Sequence, residues 1–445
     1  MKSPSEVLLP DERAQIPQPW FHPIAGEKPL VLVMENSQLF EISTDFFTAL
    51  NNGDETAIAE LKAALPVTDR LTKAWHADTE PSAISLNLAQ SCNLACSYCY
   101  ADEGRFGGAQ RSMSADIALA TIKQFIENAP KKRVTIGFIG GEPFVNRATL
   151  YQSVDSAKTV AADCGVSVGF SVTTNGTLLT PDDLTLLREN AFAVSVSIDG
   201  DAGMNDVHRS DRQGAGSFAK IVHNLQPLLA NPGRAKIAAR STIARDDLRV
   251  LERVEALCAI GFPEVGISPL RTSPNPALVF TPADWSVFLQ EMIRAAEAEW
   301  ERVVAGGQFR FSNLAVALKE IHRGACRPLP CGAAANYVSV SAEGNYFSCH
   351  RTIDDPRFAL GTLADGLDAS ARERFLQSRL VDSQEPCRSC WARYLSGGGC
   401  HAEVIKSGRD SCDYIRGWLE YCLSYYDRLL SIRPDLFNTS PTPQP

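Results

Sequence analysis

Between residues 82 and 270 short apolar runs alternate with longer amphipathic stretches, and this alternation restricts the fold more than any other feature of the chain. The runs are Ile84–Leu88, Val134–Ile139, Val166–Val172, Phe192–Ile198, Lys236–Ile243 and Val265–Leu270. Between them lie Ser114–Asn128, Ala148–Cys164, Pro181–Asn190, Ser217–Ala230 and Leu248–Ile260. Short apolar runs read as strands, and stretches with apolar residues every three to four positions read as helices. Strands alternating with helices build parallel βαβ units. Six units predict an α/β fold with a partial (β/α)6, TIM-like barrel, because a closed barrel takes eight.

In such sheets chemistry gathers at the C-terminal ends of the strands. Four motifs fall there. The first strand is followed by SCNLACSYCYAD, with Cys92, Cys96 and Cys99 spaced C-x3-C-x2-C and the aromatic Tyr98 before the last cysteine. The second is followed by Gly140-Gly141-Glu142-Pro143, the third by Thr173-Thr174-Asn175-Gly176, and the fourth closes with Ser197-Ile198-Asp199-Gly200. Three thiolates so close together can grip three irons of a cubic cluster that four cysteines normally hold, leaving one iron open to a ligand. A zinc site would pair C-x2-C with a second pair or a His-x3-His run, and neither lies near residues 92–99.

Bulk properties narrow the function classes. The formal charge of −9 argues against a broad nucleic-acid surface. No apolar run reaches the ~20 residues of a membrane helix, and the start, MKSPSEVLLPDERAQ, lacks the apolar stretch of a secretory signal. A cytoplasmic protein is expected. In a reducing compartment thirteen cysteines point to metal or catalytic roles rather than disulfides. Three lie in 92–99 and eight in 326–422; Cys164 and Cys258 stand alone and read as buried, inert thiols.

The motifs together resemble the radical S-adenosylmethionine (SAM) enzymes. The resemblance implies a [4Fe–4S] cluster on Cys92, Cys96 and Cys99, whose open iron chelates SAM, and reductive cleavage of SAM to a 5′-deoxyadenosyl radical that takes hydrogen from a substrate C–H bond. Gly140, Gly141, Glu142 and Pro143 match the family's GGEP element; the glycines would let the backbone approach the cofactor, and Glu142 would accept from the methionyl ammonium. Thr174, Asn175, Ser197 and Asp199 lie at the height of the ribose, while Arg209, in Asp206-x-x-Arg209, and Arg240 would counter a carboxylate of SAM or of substrate. A strand-end Ser or Asp is equally a helix N-cap.

The tail resembles the SPASM appendage of peptide-modifying members: Cys331, Gly344 and Cys349 fit its first part, Cys387-x2-Cys390 its second, and Cys400 ends Gly397-Gly398-Gly399-Cys400. The resemblance implies two auxiliary Fe–S clusters, one on Cys326, Cys331, Cys349 and Cys400, the other on Cys387, Cys390 and Cys412; zinc knuckles are the alternative. Where the family has a further cysteine this chain has Ser396, whose hydroxyl is a poor soft-metal ligand. The second cluster would then hold three cysteines and an open iron, available to a substrate cysteine; a serine alkoxide ligand, an absent cluster or an engineered substitution are the alternatives. Cys422 lies ten positions beyond Cys412 on a predicted helix, about 15 Å of rise, and reads as core. After the G-x4-C cysteine, sulfatase-maturing members carry an Asp base; here His350 follows Cys349.

These readings divide the chain into an N-terminal segment (1–81), the barrel (82–275), a helical bridge (276–325), the auxiliary-cluster domain (326–435) and a disordered tail (436–445). In the first, PLVLVMENSQLFEIS reads as two strands around Glu35-Asn36, and DFFTALNNGDETAIAELKAAL as helices around Asn52-Gly53. It is either a peptide-docking module offering a sheet edge or a plain extension packed on the main body. The texture resembles thioether-forming maturases of the quinohemoprotein amine dehydrogenase type. This implies an intrapeptide crosslink, Cys thioether or C–C, on a peptide or small protein with a leader, and an external flavodoxin- or ferredoxin-like electron donor. The alternatives are formylglycine formation and a non-enzymatic Fe–S electron-transfer or peptide-binding protein.

Overall fold

The computed structural model describes residues 20–26, 28–34, 37–64, 80–129 and 132–437. The expected turn at Glu35-Asn36 and residues 438–445 lie outside them. Strands β1 (Phe21–Ile24), β2 (Leu30–Val33) and β3 (Gln38–Glu41) form an antiparallel sheet in that order, followed by α1 (Thr44–Asn51) and α2 (Glu55–Ala64). The sequence reading found β2, β3 and both helices. It missed β1, whose four residues include a proline and show no alternation. Phe21 and Val31 pack with Leu50 and Leu61, whereas Leu30, Leu32 and Met34 join the main core. His22 stacks on Trp391 at 4.0 Å, and Ser37 donates to the Ala325 carbonyl at 2.6 Å. The unit is therefore packed on the main body.

All six expected parallel strands form. The chain runs through β4 (Ala83–Ala89), α3 (Ala115–Glu127), β5 (Arg133–Gly140), α4 (Arg147–Asp163), β6 (Ser167–Thr174), α5 (Pro181–Glu189) and β7 (Ala193–Ser197). It continues through α6 (Ala202–Asp206), α7 (Phe218–Ala230), β8 (Lys236–Ile243), α8 (Leu251–Ile260) and β9 (Val265–Pro269). Helices α9 (Pro282–Val304) and α10 (Ser312–His322) follow. Leu86, Phe138, Val172 and Val194 stand in register on one sheet face and belong to the core. On the other face Ser85, Gly137 and Ser171 stand in register, as do Thr173 and Ser195. A closed TIM barrel fills its interior with branched apolar side chains; here small, polar residues leave room.

The remaining elements are β10 (Tyr337–Val340), β11 (Asn345–Phe347), β12 (Ala359–Thr362), β13 (Gly366–Leu367), α11 (Ala369–Arg379), α12 (Arg393–Ser396), α13 (His401–Ser407) and α14 (Cys412–Ile432). Strand β10 pairs parallel to β4, so the cysteine-rich region extends the barrel sheet to ten strands, β13-β12-β11-β10-β4-β5-β6-β7-β8-β9. Nothing in the sequence reading anticipated that pairing, which covers an edge that would otherwise recruit other chains.

Two expectations are corrected. Cys164 is exposed, because it caps the solvent end of α4, and Cys258 is only half-buried. At the start of the segment read as a disordered tail, the Phe437 ring lies 4.9 Å from His322 and 5.1 Å from Tyr426; residues 438–445 of that segment lie outside the described residues. Among the described residues no helix is long and apolar enough to cross a membrane.

Candidate active site

Cys92, Cys96 and Cys99 lie on the loop leaving β4. The Leu94 amide and the Asn175 side chain donate to the Cys92 sulfur at 3.4 and 3.6 Å. Ala95 and Ser97 donate backbone hydrogen bonds to Ser210 and His208, pinning the loop to the segment after α6. Burial pushes the Cys92 thiol up to about 12, the Leu94 amide opposing and Glu142, Cys96 and Cys99 adding to the rise. Burial also raises Cys96, opposed by Arg209. Buried thiols that repel one another as thiolates ionise when a metal cation sits among them. Among the described residues no three His, Cys, Asp or Glu side chains converge as a single-ion site. The fit to a cluster rests on three mutually interacting thiols carried by one loop.

Gly140 has φ +154°, and a Cβ there would lie 2.4 Å from the Ala89 carbonyl oxygen. One on Gly141 would lie 2.3 Å from that of Ser91. Both glycines therefore let the cysteine loop press against the end of β5, a close approach of chain to chain that the cofactor reading did not foresee. Glu142 is fully buried. It accepts from the Phe144 amide at 3.1 Å, the Thr174 hydroxyl at 2.8 Å and the Asn175 amide at 2.7 Å. Burial lifts its carboxyl to about 7 despite those donors, so an added cation would be accommodated there. Pro143, itself buried, begins a 3₁₀ turn after it.

Tyr98 is 6% exposed. Its hydroxyl donates to Asp199 at 2.5 Å and accepts from Arg209 at 2.8 Å. Asp199 also accepts from the Thr242 amide at 2.9 Å. Arg209 is buried and its Nε has no hydrogen-bond partner. Structure thus gathers Tyr98, Glu142, Thr174, Asn175, Asp199 and Arg209 around the cysteine loop. Ser197 sits beside Arg240 in register, whereas Arg240 itself engages Glu264 and Ser312, at 3.3 and 3.0 Å. Asp206 accepts from Asn205 and the Phe218 amide. Sequence reasoning missed His208, which bonds Ser97 at 2.8 Å, and Arg253, which donates to the Asp199 carbonyl; a lone His and a helical Arg carry no motif.

In the tail, Cys331, Cys349 and Cys400 lie within electrostatic reach of one another, as do Cys387, Cys390 and Cys412. Burial pushes Cys331 up to about 11 and raises Cys349, Cys387 and Cys412. Cys326 packs against Val381, Cys387 and Tyr394. Cys387, Cys390, Cys412, Cys400 and Ser396 line one cavity of about 100 Å³. A second cavity, about 510 Å³, is walled by Tyr100, Arg271, Trp285, Arg351, Glu403 and Lys406 among others. Glu403 bridges Arg271 of the barrel rim, at 3.2 Å, and Arg351, at 2.7 Å. Arg351 also lies 4.8 Å above the Tyr100 ring. Burial and Arg351 push His350 down to about 4.

Comparison with known proteins agrees with this geometry. Residues 86–232 match the radical SAM superfamily. The chain is 24% identical to a serine-type anaerobic sulfatase-maturating enzyme of Klebsiella aerogenes, over 78% of this chain and 85% of that one. It is 27% identical to the mycofactocin maturase MftC of Mycolicibacterium smegmatis, over 74% and 80%. Among solved structures, anSMEcpe with bound AdoMet superposes with TM-score 0.67 at 17% identity, over 79% of this chain and all of that one. Streptococcus suis SuiB bound to precursor peptide SuiA gives 0.51 at 12% identity, over 86% and 94%. The matched residues span the strands and loops that gather the three thiols, the buried glutamate and the Tyr98–Asp199–Arg209 group, and residues 86–232 form a radical SAM domain, of a family whose cofactors are SAM and a [4Fe–4S] cluster.

Proposed function

We propose that this enzyme modifies a peptide or small protein oxidatively, closing an intrapeptide crosslink from a cysteine sulfur or a carbon to a carbon of another residue. The observation that carries the reading is the 510 Å³ cavity, whose wall joins Tyr100, next to Cys99, to Arg351 and Glu403, which closely follow Cys349 and Cys400. A substrate side chain there stands between the SAM-site thiols and the tail thiols. When bound, the cluster and SAM supply one-electron chemistry that takes hydrogen from an unactivated C–H bond. Cys92, Cys96 and Cys99 hold the cluster. Gly140, Gly141, Glu142, Thr174 and Asn175 receive the methionyl ammonium, Glu142 being the buried anion at that point. Arg209, with its unpartnered Nε, faces the carboxylate; Arg240, occupied by Glu264 and Ser312, is the weaker counter-charge. Ser197 and Asp199 flank the ribose. The two groups of tail cysteines would hold auxiliary clusters, which would supply an acceptor for the electron the substrate gives up. A leader strand would dock beside β3, an outer strand of the three-stranded sheet, and a flavodoxin- or ferredoxin-like partner would serve as electron donor.

The relationship to sulfatase-maturating enzymes favours formylglycine formation as the second reading. His350 stands where that group has an Asp base, which counts against it. Mass spectrometry of a candidate peptide co-expressed with the enzyme separates the two. The crosslink removes two hydrogens and blocks fragmentation between the joined residues. Formylglycine from serine also removes two hydrogens but leaves normal fragmentation and a hydrazide-reactive aldehyde.

A further inference from the structure

We infer that two arginines of the tail, Arg379 and Arg409, are the built-in countercharge of the iron–sulfur cluster held at the four-thiol cavity, and that they favour its reduced form. The inference rests on the proposed function in requiring a cluster at these thiols; it adds which residues set that cluster's potential.

The cavity of about 100 Å³ is lined by Cys387, Cys390, Cys400 and Cys412 and by four arginines, Arg271, Arg393, Arg409 and Arg416. Three of the arginines have a carboxylate. Arg271 pairs with Glu403 at 3.2 Å, Arg393 with Asp382 at 3.5 Å, and Arg416 with Asp413. Arg409 has none among the described residues. Its guanidinium donates to the Gly398 carbonyl at 2.7 Å and to the side-chain oxygen of Gln384, both neutral. A Cβ on Gly398 would lie 3.8 Å from the Cys387 sulfur and 3.2 Å from Gln384 Nε2. This fixed cation therefore stands beside that thiol.

Arg379 is the second cation without a carboxylate. It ends α11 and is 6% exposed. Its Nε donates to His401 Nδ1 at 3.0 Å, while Nη2 is buried without a hydrogen-bond partner. Gln384 ties the two arginines together, accepting from Arg409 and donating through Nε2 to the Arg379 carbonyl at 2.5 Å. Burial and the neighbouring Arg409 push the Arg379 guanidinium down to about 10; the opposing influences are Cys387 and Cys400.

Two adjoining guanidiniums without a carboxylate are costly in a metal-free fold, because a buried charge needs an opposite charge beside it. A cluster bound through ionised thiols is a net anion, and more so once reduced. Its potential rises when positive charge and N–H donors face its sulfurs. Arg409 brings a charge that no carboxylate neutralises, and Arg379 adds an N–H with no other acceptor. Both suit a cluster that takes up an electron.

Potentiometric EPR of the reconstituted full chain tests this. The signal that shifts on adding SAM marks the first cluster and serves as internal reference. Arg379→Gln and Arg409→Gln are each expected to move a tail-cluster midpoint to more negative potential, and the double variant to move it further. Arg379→Lys and Arg409→Lys keep the charge and are expected to stay nearer the wild type. The first cluster's midpoint is expected to be the same in all. Glutamine variants with full iron and wild-type midpoints overturn the inference, as do lysine variants that fall as far as the glutamine ones. If a glutamine variant assembles no tail cluster, thermal melts of the metal-free chains decide. Metal-free Arg379→Gln is expected to melt no lower than the wild type, and a lower melt overturns the countercharge role. A wild type with iron for the first cluster only overturns the auxiliary-cluster part of the proposed function instead.

Discussion

Gly141 and Tyr98 illustrate two ways in which single residues set the site. Gly141 has no space for a methyl group, since the obstacle is backbone at Ser91 and Gly104 rather than a flexible side chain. Gly141→Ala is therefore expected to cost about 1–3 kcal/mol by forcing the two backbones apart, and to lower iron retention at the 92–99 loop. Denaturant unfolding together with iron analysis reads both effects. Tyr98 acts through its hydroxyl, which satisfies Asp199 and Arg209 at once. Tyr98→Phe leaves a buried carboxylate oxygen and a buried guanidinium N–H without that partner, at a cost of about 1–3 kcal/mol. If Tyr98→Phe unfolds at the wild-type denaturant midpoint, the Tyr98–Asp199–Arg209 group is not holding the loop.

At the level of elements, α9 shows how local chemistry fixes a long helix beside the barrel. Thr281 donates through its amide and hydroxyl to Asp284, at 2.7 and 2.6 Å, and Arg245 lies 3.5 Å away. Burial works against the Asp284 carboxylate, but the Thr281 hydrogen bonds and Arg245 prevail and hold its pKa below the usual value. A lowered carboxyl stabilises the fold above its ordinary pKa, and the benefit disappears as pH falls through it. Asp284→Ala is expected to cost about 1 kcal/mol near neutrality, with the gap from wild type closing below about pH 4. Thermal melts at both pH values check the sign. The elements most legible in the sequence were those, like α9 and β4 to β9, whose apolar spacing repeats over several turns or a full strand. Strands β1, β12 and β13 were not, because two to four residues hold too little pattern to outweigh their turn residues.

For the whole molecule, the parallel pairing of Tyr337–Val340 with Ala83–Leu86 makes the cysteine-rich region part of the barrel sheet. A chain ended at residue 325 would expose the β4 edge and is expected to self-associate. Light scattering after gel filtration measures this; a monodisperse 1–325 fragment with cooperative unfolding would contradict it. The same assembly stacks His22 on Trp391 and pairs Arg271 with Glu403, the latter pair standing in the wall of the 510 Å³ cavity.

The sequence alone determined the six βα units, the three-thiol loop, the glycine-glycine-glutamate-proline turn and the cysteine spacing of the tail, because each is written in residues a few positions apart. Only tertiary structure decided that Glu142 is fastened to Thr174 and Asn175, that Arg209 rather than Arg240 lies beside Tyr98, and that Ser396 shares a cavity with four thiols. Those partners are brought together by packing between distant segments, and burial, which shifts their charge states and selects their hydrogen bonds, exists only once the segments have met.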